Sequence, residues 1–553
     1  MVLNRREVTY YDVSPFAAVS AKAAASDNLQ DFSNVQKLFS ENMNFRSVQT
    51  CEHNYTILDG AHDTLSTNLD IALWSKNLSA AKTKLLQEPV TLDITFGGLQ
   101  TSNGIAFYFD THNNVYADIV NVKWYKDGAI LSDMTFYPDS AVYSYYNKVE
   151  LYNRVLITFG RLNMPGRYLK TEAIYFGIVR TFGDSELESL TINEGFDPSA
   201  NSIYINSAEF EINTKDSIPY IFLKRQPFKI TYNGIEMGHY YIDKSKKYAN
   251  GKYSVEAVDK IGILDNTDEF FGGMYMNVTA AVVINNIVGG LFAVTLDPSL
   301  QNVPISGWLP IMKKRDALAL VALAIGASVD ATRTDDIKVK PIPTVLSSII
   351  GQDRVYRSSS VEIEFPYTGV EVIEHNYVIG GQQKNLFKDT FTGSKMIKFP
   401  EPIYNLSITN GTITASAANY AVITSTGATE TSLNGYSYID SQNSVIVKTA
   451  ETIEGTQERI AKVDKGYLIN KNISQPVAQR LYNYYLRCNS FDGDFMMNTG
   501  SGNLEKVGDI VEIATVFDED PISPSEKLYG QIEKLTLNLG YANIKARGII
   551  RGN

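Results

Sequence analysis

A chain of 553 residues is too long for one ordinary hydrophobic core and is read as about three to five packed units. With 44% hydrophobic and 20% charged residues it is neither a disordered chain nor a membrane-embedded one. A net charge of −11 argues against a surface that coats nucleic acid.

Residues 1–31 read as an N-terminal arm. Its alanine-rich stretch, Ala17 to Ala25, is either helical or unstructured until docked. From Phe32 to Gly177 the pattern is β. Val90–Phe96 alternates with period two, and Asn103–Phe109, Asp118–Tyr125, Val149–Phe159 and Ala173–Ile178 follow as short strands. Gly97-Gly98, Asp127-Gly128 and Pro165-Gly166 read as the turns between them, and regular short strands of this kind predict a β-sandwich over 32–180.

Strands continue through 181–264. Ser207–Ile212 alternates, and Pro227–Tyr232 runs into Asn233-Gly234, a strong hairpin signal, before Met237–Ile242 and Tyr253–Val258. Residues 265–350 change character, with helical stretches at Thr279–Ile287 and Lys313–Gly326 and a strand at Ile337–Pro341, which predicts a small α/β insertion. The β pattern returns over 351–553. Val361–Phe365 alternates cleanly, Thr412–Val447 is rich in Thr, Ser, Asn and Gly with strand-like pieces, and Ser474–Arg487 is helical, with Val477, Leu481, Tyr484 and Tyr485 at helical spacing. Val507–Ala514, Leu528–Leu537 and Ala542–Ile549 close the chain as strands. The expected class is mainly β, with two β units flanking the α/β insertion.

Motifs for chemistry are missing. The sequence has no Gly-x-x-x-x-Gly-Lys-Ser/Thr loop, no Gly-x-Gly-x-x-Gly after a strand and no Gly-x-Ser-x-Gly elbow. His53 and His62 lie near Asp59 and Asp63 but not in the order His-Glu-x-x-His, so zinc is not expected. His112, His239 and His375 stand singly and read as surface or cross-strand residues. Asp518-Glu519-Asp520 reads as a solvated loop. Cys51 and Cys488 give no disulfide framework and are expected as reduced thiols made in a cytosol. The start, Met1 to Glu7, has no apolar stretch behind its charges, so no signal peptide is expected. The longest largely apolar run, Ala317 to Val329, is 13 residues, and a membrane span needs about 20. No enzyme and no cofactor are expected.

The order Leu58-Asp59-Gly60, Trp74-Ser75, Leu92–Phe96, Trp124–Gly128, Arg167-Tyr168 and Glu172–Gly177 resembles the discoidin, or coagulation factor type C, family. That resemblance implies ligand binding, of glycans above all, at loops on one end of the sandwich, with Asp59, His62, Asp63 and Trp74 as candidates. Where the family holds calcium, it would place it at Asp59 and Asp63. On physical grounds Trp74 and Trp124 are large anchors for a two-sheet core, and packing is the favoured reading of Trp124 and Arg167.

The segment 187–553 resembles the hub proteins of phage tails and related injection machines. The resemblance lies in the order Tyr232–Asp243, Tyr253–Leu264, Gly307-Trp-Leu-Pro310, the Asp316-Ala-Leu helix, Ile337–Val339, Val507–Val511 and Gly530–Leu537. It implies two similar β-barrels per chain and a homotrimer whose six barrels match a sixfold tail tube. The implied partners are the tail tube protein, the spike, other baseplate proteins and the tape-measure protein, in a virion tail assembled in the host bacterial cytoplasm. No specific nucleic-acid binding is expected. Glu362 and Glu364 are candidates for a polar lumen wall, although the solvent face of a strand is the simpler reading. The alternatives are a host-glycan-binding tail adhesin and the tail-tip protein of a non-contractile tail.

Overall fold

The computed structural model describes residues 5–13, 15–39, 48–50, 52–53, 55, 71–197, 199, 202–214, 222, 224–357, 359–427, 429–449, 458–499, 504–515 and 527–552. Strands account for 57% and helices for 10%, the mainly β class that the period-two patterns predict.

The largest feature is a 13-stranded sheet. Its first half is Gly177–Phe182, Arg6–Val13, Pro227–Tyr232, Ile235–Ala249, Lys252–Val258, Ser207–Asn213 and Leu187–Gly195, in spatial order. The second half is Lys527–Leu539, Ile544–Gly552, Asn489–Met496 and Ser360–Ile363, with Ile510–Ala514 and Leu346–Ile350 branching from Lys527–Leu539. The two β units therefore do not stand apart as separate barrels, and no closed barrel forms among the described residues. Leu187–Gly195 pairs antiparallel with Lys527–Leu539, from Thr191 opposite Asn538 to Gly195 opposite Lys534. One core runs beneath both halves, with Ile192, Phe210, Phe228 and Ile230 in the same cluster as Phe491, Ile532, Leu537 and Ile550. Burying one shared core removes more apolar surface from water than two small ones would.

The N-terminal residues dock on the sheet. Arg6–Val13 is an inner strand between Pro227–Tyr232 and Gly177–Phe182, and Ala17–Ala25 divides between a short helix, Pro15–Ser20, and a strand, Lys22–Ala25. Val8 and Tyr10 alternate toward the core and are each 1% exposed, burial that an isolated arm does not provide.

Strands between Lys22 and Tyr175 form a separate seven-stranded sheet around its own core of Phe107, Phe109, Trp124, Tyr152 and Phe159. Gly97-Gly98 is not a turn here but lies inside one strand, Leu85–Phe109. The register of that strand against Val142–Leu162 slips at Thr95/Gln100, Gln100/Ser102 and Ser102/Gly104. These bulges absorb the glycines and bend the strand, and its second half also pairs with Lys170–Tyr175. Asp127-Gly128 and Asn233-Gly234 do form two-residue hairpins, with φ of 49° and 87° in one and 50° and 77° in the other, the left-handed pair such loops require.

Between the halves of the large sheet, helices Ala280–Val288 and Lys314–Ile325 pack on each other and on small sheets, with Ile284, Ile287, Leu318, Val321 and Ile337 buried. Each helix ends on a left-handed glycine, Gly289 or Gly326. A further unit takes in the Thr412–Val447 stretch and helix Ser474–Tyr485, which the sequence reading assigns to the second β unit. Gly369–Val378, Ile439–Lys448 and Ile460–Val463 form a three-stranded stalk backed by helix Ser474–Tyr485 through Val370, Val372, Val477 and Leu481. The segment between the stalk strands, 383–437, makes two three-stranded sheets around Phe399, Ile403, Ala421, Ile423 and Leu433.

The alternation at Val361–Phe365 is only partly used. The strand stops at Ile363, at the end of the large sheet, and leaves Ile363 79% and Phe365 76% exposed. Glu362 is exposed, and Glu364 lies 3.7 Å from the Arg551 guanidinium. No helix among the described residues is long and apolar enough to cross a membrane.

Candidate functional site

Two charged clusters stand out. The first lies where Lys170–Tyr175 meets the end of Leu85–Phe109. Strand alternation puts Lys170 and Glu172 on one side. The Lys170 Nζ is 2.5 Å from Glu52 Oε2 and 3.5 Å from Asp110 Oδ2, and it sits over the rings of Tyr55, at 3.5 Å, and Trp74, at 4.7 Å. Glu52 also accepts from the Thr50 hydroxyl at 2.6 Å and from the Tyr168 N–H at 2.9 Å. Asp110 accepts from the Tyr55 hydroxyl and, at 3.1 Å, from the Asn113 N–H. Burial, with Asp110 adding to it, pushes the Glu172 carboxyl up to about 8, so Glu172 is protonated at neutral pH. Burial pulls the Lys170 ammonium below the ordinary lysine range.

Of the sequence-derived ligand candidates, Asp59, His62 and Asp63 lie outside the described residues, as do Cys51 and the Asp518–Asp520 loop. Trp74 is 5% exposed. Its ring meets Phe32 edge-on at 5.5 Å and Tyr168 at 6.0 Å and carries the Lys170 ammonium, so it offers no open face to a sugar. Trp124 is fully buried and meets Phe136 edge-on. Arg167 lies 5.6 Å from the Tyr55 ring, and its Nε and Nη1 are buried without hydrogen-bond partners. Lys170, Glu52, Asp110 and Glu172 carry no motif. Lys170 pairs with a carboxylate 118 positions away and another 60 positions away, and only folding brings these together.

The second cluster sits at the joint of the two β units and the α/β insertion. Arg333, at φ 51°, makes a two-pronged contact with Glu194, at 2.7 and 2.9 Å, and the Glu194 side chain is 0% exposed. Burial alone would weaken the Arg333 hold on its proton. The Glu194 carboxylate outweighs it and keeps the guanidinium charged. Beside them Lys340 holds Asp330 at 2.8 Å, and Asn206 donates to Thr332 at 3.2 Å. Asp259 caps helix Lys260–Asp265 through the Gly262 N–H, and burial pushes its carboxyl up to about 7. A cleft of about 330 Å³ opens here, lined by Glu236, Arg333, Ser347, Ser348, Glu505 and Lys506.

The other histidines are placed by charge. His239 lies 3.0 Å from Glu236 and 3.3 Å from Asp335, and buried His375 meets Asp440 across the stalk at 2.8 Å. Among the described residues no group of three or more His, Cys, Asp or Glu side chains is placed to hold a metal ion.

The geometry defines a multi-unit, mainly β protein in which the Arg333–Glu194 cluster joins units and the Lys170 cluster lies within one. No protein-family model and no curated protein matches the chain. Among solved structures it is similar to a tail protein from Neisseria meningitidis MC58, with a TM-score of 0.42 and 12% identity over 68% of this chain and 94% of that one. It is also similar to the 43 kDa tail protein of prophage MuSo2 from Shewanella oneidensis, with a TM-score of 0.41 and 10% identity over 68% and 95%. A third is the prophage tail protein gp18 from Listeria monocytogenes, with a TM-score of 0.35 and 11% identity over 66% and 94%.

Proposed function

We propose that the chain is a structural component of a phage-type tail, and within it the baseplate hub, a trimeric ring that adapts a sixfold tail tube to a central spike. The observation that carries the proposal is the hydrogen-bonded seam between Leu187–Gly195 and Lys527–Leu539. It makes the two β units of one chain a single sheet over a shared core, so that three chains present six β units in fixed relation. The buried Arg333–Glu194 pair fastens the α/β insertion to the same seam. The work is mechanical rather than catalytic, and the partners are tube, spike and tape-measure proteins. We place contact with the next copy at the sheet end carrying Ile363 and Phe365. A strand edge unpaired among the described residues, with exposed apolar side chains, invites pairing with another chain there.

Mass measurement of the purified chain, joined to images of the particle, tests this reading. A three-chain ring coaxial with a tube supports it. A chain that stays single at micromolar concentration and averages to no threefold object rejects it.

A further inference from the structure

The geometry points to an intramolecular amide between Lys170 Nζ and Asp110 Cγ, formed by the folded chain itself. The parts stand in reach of one another. The Lys170 side chain is 9% exposed and the Asp110 side chain 4%, with 3.5 Å between Nζ and Oδ2. Both lie on neighbouring strands or their ends, since Phe109 pairs with Thr171. Folding thus holds amine and carboxyl together at an effective concentration that no bimolecular reaction in water reaches.

The surrounding groups divide the proton work. An amine attacks only when neutral, and burial favours the neutral form of Lys170. Glu52, 2.5 Å from Nζ, is held by the Thr50 hydroxyl and the Tyr168 N–H, which suits it to take a proton from the amine as the bond forms. The Tyr55 hydroxyl already donates to Asp110 Oδ2 and steadies charge that develops on that oxygen. Glu172, which accepts from the hydroxyl of Thr111 beside Asp110 at 3.4 Å and whose carboxyl burial pushes up to about 8, supplies the proton that turns the Asp110 carboxylate into the acid. The Nζ lone pair forms the C–N bond, the Cγ–O bond of the carboxylic acid breaks, and the oxygen leaves as water. The two protons of that water come from Glu172 and, by way of Glu52, from Nζ, so that Glu52 ends as it began and Glu172 ends as a carboxylate. Nothing is oxidised or reduced, and no co-reactant is needed.

Glu52 is nearer to Nζ than Asp110 is, yet it serves as base and not as acyl donor. Its 2.5 Å contact with the amine nitrogen is the geometry of proton transfer, while the Tyr55 hydroxyl polarises Asp110 at Oδ2, the oxygen that faces Nζ. The product fastens Lys170–Tyr175 covalently to the end of Leu85–Phe109 and closes the sheet edge against load, without a cysteine.

Intact-mass measurement of the full-length chain decides the matter. The expected result is a mass one water below that of the sequence, and a protease digest containing a linked pair of peptides that carry Asp110 and Lys170. Lys170→Arg and Glu52→Gln should each restore the full mass. A wild-type chain at its full sequence mass overturns the proposal. So does a water loss mapped elsewhere, or one that survives in Lys170→Arg. The wild-type mass and digest suffice even if a variant fails to fold.

Discussion

The Trp308 indole N–H donates to the Asn419 side-chain oxygen across 2.6 Å, and this contact ties the 383–437 unit to the α/β insertion. Asn419 is 0% exposed, and its amide nitrogen donates to the carbonyls of Phe271, at 2.6 Å, and Leu309, at 2.7 Å. Tyr420 packs edge-on against Phe271, and Lys398 pairs with Glu269 at the same seam. Asn419→Ala leaves one donor and two acceptors without their partner, at a cost of about 1–3 kcal/mol for each buried group left unpaired. The 383–437 unit should then exchange its amide hydrogens faster, while the large sheet keeps its protection. Hydrogen exchange read by mass spectrometry checks this.

Breaking the Arg333–Glu194 pair from one side should destabilise the whole molecule. Glu194→Ala leaves a guanidinium that is 8% exposed without its carboxylate. Removing one partner of a buried pair costs about 3–5 kcal/mol. The urea midpoint should fall for Glu194→Ala and for Arg333→Ala, and the double variant should lose less than the sum of the two. Equilibrium unfolding of the four proteins measures the coupling directly.

Asp259 makes stability depend on pH. Its folded carboxyl titrates at about 7, against an ordinary value of 3.8. Between those values the folded chain holds a proton that the unfolded chain has released, so stability falls as pH rises through the window and the loss is complete above 7. Asp259→Asn keeps a capping oxygen for the Gly262 N–H and removes the titration. The variant should match the parent near pH 4 and exceed it at pH 8, by a margin on the order of a few kcal/mol. Urea unfolding at the two pH values checks the sign.

The sheet end offers a test of assembly that leaves the fold alone. Phe365 is 76% exposed, so Phe365→Lys should change the stability of the single chain by no more than about 0.5 kcal/mol. The same change puts a charge into the contact proposed between copies. Sedimentation should show smaller assemblies for the variant at equal concentration, with an unchanged melting temperature.

Local signals read well in the sequence. The helices at Ala280–Val288, Lys314–Ile325 and Ser474–Tyr485 follow from apolar spacing, and for the second also from the closing Gly326. The Asn233-Gly234 hairpin follows from two residues that accept positive φ. Gly97-Gly98 misled for the same reason that it signals. Glycine permits a turn but does not require one, and here a bulge in a long paired strand uses the freedom instead. The strand-like pieces of Thr412–Val447 did not mark 383–437 as a separate unit, because its strands are short and its core has few residues. The charged clusters were hidden by distance along the chain, as Glu52, Asp110 and Lys170 show.

The sequence by itself determined that this is a mainly β chain with an α/β insertion, because period-two patterns, helical spacing and turn residues act over a few neighbours. Only the tertiary structure decided that the two β units share one sheet, that Arg6–Val13 lies inside it, and that Lys170 meets Glu52 and Asp110. Strand pairing and buried charge pairs join residues hundreds of positions apart, and the energy that selects them comes from burial, which no local window contains.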